Sequence, residues 1–337
     1  MSQYYNPFGY DGISEEAKQL YFRKQEEKRQ KSEIRKISLL MGCAIVAYIV
    51  IQQIASMFLL LFHWYDLYLN NSVFQNAFTI IGVSFLSVAL PFGIMALISK
   101  KKYDYPIVPN EPIKPLRCIT WVCFGMLCCI AANFAVSIII QLLEEVFKVT
   151  FTQGELLDPD SPFACVMVVI STAIIPPICE EFAMRCCSLQ LLRKYGKGFA
   201  VFAVSIVFGL LHGNVIQFLF AFIIGLVLGF ATVKTGSIVP AVLIHAFNNG
   251  ISAVNSVITY AYNEDTATDF LLIAYAVWIV LGLASLVYLI IKGELKKGRK
   301  AEGEVLTTGQ KFTSFLFPWM IVPFVILLIM TAFTIQK

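Results

Sequence analysis

Three stretches of this chain put ionisable and amide side chains inside long apolar runs: Glu180, Glu181 and Arg185; then His212; then His245 with Asn249. Insertion scales put a charge at membrane depth at about 2.5–3.5 kcal/mol, so such residues are rare there and mark reaction sites, ion paths or substrate pockets. A carboxylate and an imidazole together can hold a water and take its proton, the work of a general base. A second imidazole and an amide N–H can donate hydrogen bonds to the oxyanion of a tetrahedral intermediate. Hydrolysis of an amide bond uses both halves. The residue types also admit zinc, with Glu180, His212 and His245 as ligands, although they lie on three separate segments and the chain has no His-Glu-x-x-His pattern.

The elements that must position these residues are transmembrane helices. Of 337 residues, 58% are hydrophobic and 14% charged, against about 25% charged in soluble domains, and the mean hydropathy is +0.73. Nine apolar runs approach the length needed to cross about 30 Å of hydrocarbon. They are Ile37 to Phe62, Asn76 to Ser99, Cys118 to Leu142, Phe163 to Leu192, Gly198 to His212, Val215 to Val233, Ile238 to Tyr260, Phe270 to Ile291 and Phe312 to Ile335. The fifth is too short to cross alone, which predicts that the turn at Gly213-Asn214, beside His212, lies inside the protein.

Lysine and arginine fall in alternate connections. The segment before the first run, the Lys100–Arg117 connection, Arg193-Lys194 with Lys197, Lys234, and the Lys292–Lys300 connection are basic, whereas Glu144 to Asp160 and Glu264 to Asp269 are acidic. This predicts a cytoplasmic N-terminus and, with nine crossings, an outer C-terminus. We expect an integral protein of the plasma membrane, with a cytoplasmic tail over 1–36 and a transmembrane domain over 37–337 whose chemistry lies within about 160–260.

Within the tail, Met1 to Gly12 reads as irregular and Ser14-Glu15-Glu16-Ala17 as a helix start. The four prolines between Lys100 and Leu116 predict an extended connection. The net charge of +4 is accounted for by topology, and no nucleic-acid partner is expected. No cleavable leader is expected either, because the first thirty-odd residues are polar. The nine cysteines lie in or at the edges of apolar runs and read as packing residues rather than a disulfide framework.

Counting along helices tests whether the polar residues meet. Glu180 lies 14 residues from Lys194, His212 lies 15 from Lys197, and from Lys234-Thr235-Gly236 His245 is 9 residues in and Asn249 is 13. At about 1.5 Å per residue the depths are about 21, 22, 14 and 20 Å, so three helices deliver Glu, His and Asn to one level with His245 about a turn away. Residues four apart share a face, pairing Glu181 with Arg185, His245 with Asn249, and Phe208 with His212. Glu180 points about 100° from Glu181, leaving it free to face a pocket while Glu181 makes an ion pair with Arg185. Pro176-Pro177 leave the carbonyls of Thr172 and Ala173 without helical donors, which predicts a kink beside Glu180. Gly209, Gly213, Gly225 and Gly229 read as close-packing positions.

Glu180-Glu181-x-x-x-Arg185, Phe208-x-x-x-His212 and His245-x-x-x-Asn249, in that order, resemble the three motifs of the CAAX prenyl protease and bacteriocin-processing family of intramembrane glutamic endopeptidases. The resemblance spans about residues 160 to 260. It implies an all-α polytopic membrane bundle of eight to nine helices with an intramembrane cavity, cutting membrane-associated or lipidated peptides without a cofactor. Carried over by position, it implies Glu180 and His212 as the water-activating pair, His245 and Asn249 as oxyanion donors, and Glu181 and Arg185 as supporting residues. Partners would be membrane lipid and the peptide substrate. The alternatives are a zinc-dependent form of the protease, a non-catalytic scaffold or bacteriocin-immunity protein that binds a peptide in the same cavity, and a transporter. The last is weakened by the lack of an internal repeat.

Overall fold

A computed structural model describes residues 14–152, 158–296 and 304–336. The expected irregular start, Met1 to Gly12, and the charges Glu155, Lys297, Arg299 and Lys300 lie outside the described residues.

Eight described helices are long and apolar enough to cross a membrane: α1 (Glu15–Leu61), α2 (Ser72–Ile98), α3 (Pro115–Phe147), α4 (Pro162–Tyr195), α6 (Val215–Thr235), α7 (Val239–Ala261), α8 (Glu264–Ile291) and α9 (Thr308–Ala332). A ninth, α5 (Lys197–Leu210), has 14 residues. The protein is an all-helical polytopic membrane bundle; among the described residues a short antiparallel pairing joins Thr150–Phe151 to Ile335–Gln336. Each of the nine apolar runs has become one helix.

Side-chain caps start most of these helices by accepting otherwise orphaned backbone N–H groups. Ser14 caps α1, Asn71 caps α2, Ser161 caps α4, Asn214 caps α6 and Asn263 caps α8. Thr307 and Gln310 form a reciprocal capping box at α9. The helix predicted from Ser14 runs without a break into the first apolar run, with no structural boundary at position 36.

Two apolar clusters build the bundle. Ile34, Met41, Ile45, Phe92, Leu191, Phe208 and Phe315 join α1, α2, α4, α5 and α9. Trp121, Met126, Ile224, Leu228, Ile244 and Leu289 join α3, α6, α7 and α8. The α5–α6 hairpin links the two layers, and its helices close tightly because a Cβ at Gly209 would stand 2.9 Å from the Phe218 carbonyl oxygen and one at Gly229 3.0 Å from Val201. The short α5 ends at an internal turn: Gly213 takes φ +69° and Asn214 is 6% exposed. Non-helical backbone at this depth thus has protein around it, as the length of the fifth run required.

Between Ser99 and Pro115 the proline-containing connection has one short turn, over Lys100–Lys102, and then runs irregularly along the bundle end. Backbone bonds from Glu111 N–H to the Gly236 carbonyl and from Ile238 N–H to the Pro109 carbonyl tie it to the α6–α7 turn. All nine cysteines are free thiols.

Candidate active site

α4 carries the glutamates on a helix that is not regularly wound. It widens to i→i−5 bonding over Ile170–Ile174 and again over Phe182–Ser188, on either side of Pro176-Pro177 and Glu180-Glu181. Such local unwinding frees backbone groups and re-aims side chains, and it concentrates at functional sites. The carbonyl of Thr172 would receive residue 176 in an α-turn or residue 177 in a wider one, and both are proline. It receives the Asn249 side-chain amide instead, at 3.1 Å. The carbonyl that the α4 prolines leave open is thereby served by the third motif on α7.

Glu181 and Arg185 are both fully buried, with Arg185 Nε 2.9 Å from Glu181 Oε2. The other Glu181 oxygen lies 3.0 Å from His245 Nδ1. The Arg185 guanidinium makes no well-angled hydrogen bond among the described residues and stacks over the Phe208 ring at 5.1 Å. A cation over an aromatic face is attracted to the ring quadrupole. Phe208 also presents its ring to His212, with centroids 5.0 Å apart, and to His245 at 5.9 Å, both nearly perpendicular. One aromatic side chain from α5 therefore touches a residue of each motif.

Glu180 takes a different environment from its neighbour. Its side chain is 23% exposed, and its Oε2 lies 3.8 Å from His245 Nε2. That oxygen is buried and has no hydrogen-bond partner among the described residues. His245 thus stands between the two glutamates, with Nδ1 to Glu181 and Nε2 toward Glu180. Counting residues placed His245 a turn from Glu180; the offset of about 5.4 Å is within reach of a glutamate and a histidine side chain.

His212 Nδ1 lies 2.8 Å from the Phe208 carbonyl oxygen, so it carries the proton and donates, which leaves Nε2 as an acceptor. No direct hydrogen bond or ion pair joins Glu180 to His212 among the described residues; the sequence pairs them by depth, whereas the ion-pair contact of Glu180 is with His245. The turn that carries His212 is held from outside the motif region. Tyr48 on α1, itself buried, donates its hydroxyl to the Leu211 carbonyl at 2.6 Å. Nothing in the motif spacing points to Tyr48.

A second unforeseen residue is Asn248, whose amide donates to Asn249 Oδ1 at 3.2 Å. It opens onto an intramembrane cavity of about 120 Å3 with Asn133, Ser252 and Tyr275 on its walls. Among the described residues, no three His, Cys, Asp or Glu side chains converge closely enough to hold a metal ion.

No curated protein and no solved structure matches this chain significantly. Residues 161–251 match a family model, that of the Rce1-like type II CAAX prenyl endopeptidases. The matched segment holds all seven motif residues within a little over a quarter of the chain, and it supports placing this membrane protein in the CAAX protease family.

Proposed function

We propose that the chain is an intramembrane endopeptidase of the glutamic type, hydrolysing peptide bonds of membrane-associated or lipidated proteins with a water activated by Glu180 and His212. The observation that carries this reading is the contrast within the glutamate doublet: Glu181 is fully buried with Arg185 2.9 Å from one oxygen and His245 3.0 Å from the other, while Glu180 is 23% exposed and its Oε2 has only His245 Nε2, at 3.8 Å, as a charged neighbour among the described residues. A desolvated carboxylate with an unused acceptor is what a general base requires.

In this reading Glu180 takes one proton of the attacking water while His212 Nε2 accepts a hydrogen bond from the other. The hydroxide oxygen adds to the scissile carbonyl carbon, and the carbonyl π pair moves to oxygen. Asn249 has a second N–H beyond the one given to Thr172, and it donates to that oxyanion together with His245 Nε2. Donation from Nε2 requires the doubly protonated ring, whose charge then faces the Glu181 carboxylate, Glu180 having taken the proton of the water. Collapse breaks the C–N bond, and Glu180 passes its proton to the departing amine. Glu181 and Arg185 orient His245 rather than touch substrate. The N-terminus and basic connections are on the cytoplasmic side of the plasma membrane in this reading.

The test is a comparison of wild type with Glu180→Gln, purified and reconstituted, on lipidated peptides drawn from a comparison of cellular peptides in the two strains. We expect a loss of at least about 100-fold in cleavage with unchanged protein level. Cleavage that survives the substitution would sink the assignment, and a cellular phenotype that survives it would favour a scaffold. In the same assay, activity lost to a chelator and restored by zinc would replace the metal-free mechanism.

A further inference from the structure

The basic end of the bundle holds a cavity of about 250 Å3 where three span ends meet: the charged-to-apolar change in α1, the connection after α2, and the end of α4. Lys36, Lys101, Lys102 and Lys194 line it, with Glu33 and Asp104. Both carboxylates are already taken. Lys194 Nζ lies 3.2 Å from Asp104 and 3.8 Å from Glu33, and Glu33 also accepts the Tyr195 hydroxyl at 2.6 Å. Lys36, Lys101 and Lys102 have no carboxylate within ion-pair distance among the described residues, so the four lysines and two carboxylates that line the cavity leave it a net positive charge.

A concave site of this charge selects an anion with several oxygen acceptors, and its volume falls below the ~300–1,000 Å3 of sites that enclose a whole drug-sized ligand. The surroundings favour one source. Ile37, 1% exposed, forms part of the wall where α1 becomes apolar, and Leu97 (74% exposed), Ile98 (65%) and Leu39 (38%) give acyl chains an adjoining surface. Juxtamembrane lysine clusters attract anionic headgroups. We propose that this cavity binds the phosphate of an anionic phospholipid headgroup while its acyl chains lie along α1 and α2. Lys194 at one wall ends the helix that carries Glu180, so bound lipid would brace α4 from its basic end.

The experiment titrates the full-length protein in detergent with dioctanoyl phosphatidylglycerol, dioctanoyl phosphatidylcholine and inorganic phosphate, followed by calorimetry. The wild type should bind phosphatidylglycerol saturably and at least about tenfold more tightly than phosphatidylcholine. Lys36→Gln/Lys101→Gln/Lys102→Gln should lose about tenfold in phosphatidylglycerol affinity, whereas the corresponding triple arginine variant keeps it. Lys24→Gln/Lys28→Gln/Lys31→Gln, which removes equal charge elsewhere on α1, should bind as wild type does. An equal loss in both glutamine variants, or no preference for the anionic lipid, would overturn the site. Inorganic phosphate binding as tightly as phosphatidylglycerol would overturn its assignment to lipid. Helix content and unfolding temperature of each variant establish that it is folded.

Discussion

The bond from Asn249 to Thr172 makes a separable prediction, because the same amide is assigned one structural and one catalytic N–H. Asn249→Ala leaves the Thr172 carbonyl without a donor, since residues 176 and 177 are both proline. An unsatisfied buried carbonyl costs about 1–3 kcal/mol in a soluble protein, and interhelical bonds in membranes average about 0.6 and reach about 1.7 kcal/mol. We expect a loss near 1 kcal/mol, about a fivefold change in the folding equilibrium.

Pro176→Ala/Pro177→Ala restores two N–H groups that can serve that carbonyl along the helix. In this background the stability cost of Asn249→Ala should shrink, giving a coupling of about 0.5–1.5 kcal/mol in a double-mutant cycle. Reversible unfolding in mixed micelles measures it. The catalytic loss, about 100- to 1,000-fold in kcat for an oxyanion donor, should be the same ratio in both backgrounds. Additive stabilities within about 0.3 kcal/mol would refute the compensation between the proline kink and Asn249. A catalytic loss that disappears along with the stability loss would refute the oxyanion role.

Other substitutions probe the supporting contacts. Arg185→Met leaves the fully buried Glu181 without its cation and should destabilise the protein by about 3–5 kcal/mol, read by the same unfolding assay; a cost below about 1 kcal/mol would mean that the pair is not desolvated as described. Tyr48→Phe removes the hydroxyl that holds the Leu211 carbonyl, and should cost about 1 kcal/mol in stability. It should also lower kcat on peptide substrate with KM little changed, since the bond holds the turn carrying His212 rather than substrate. An unchanged kcat would show that this turn is held well enough without it.

Sequence alone determined the solvent of this chain and the cast of its site. Nine apolar runs became nine helices because crossing hydrocarbon demands internally satisfied backbone over a fixed length, a constraint written in composition. The shortness of the fifth run was enough to put the His212 turn inside the protein, and helix periodicity was enough to join Glu181 to Arg185 and Phe208 to His212. Spacing along one helix fixes which residues share a face but not how neighbouring helices slide and rotate against each other.

Those last degrees of freedom were decided by tertiary packing. His245 came to stand between Glu180 and Glu181, and Asn249 came to serve the carbonyl that the prolines abandoned, because α7 packs against α4 at this level. Tyr48 reached the turn beside His212 from more than 160 positions away in sequence, a contact no local pattern encodes. The residue types were legible because burying them is costly wherever they sit. Their partners were not, because a hydrogen bond between helices depends on the relative placement of both.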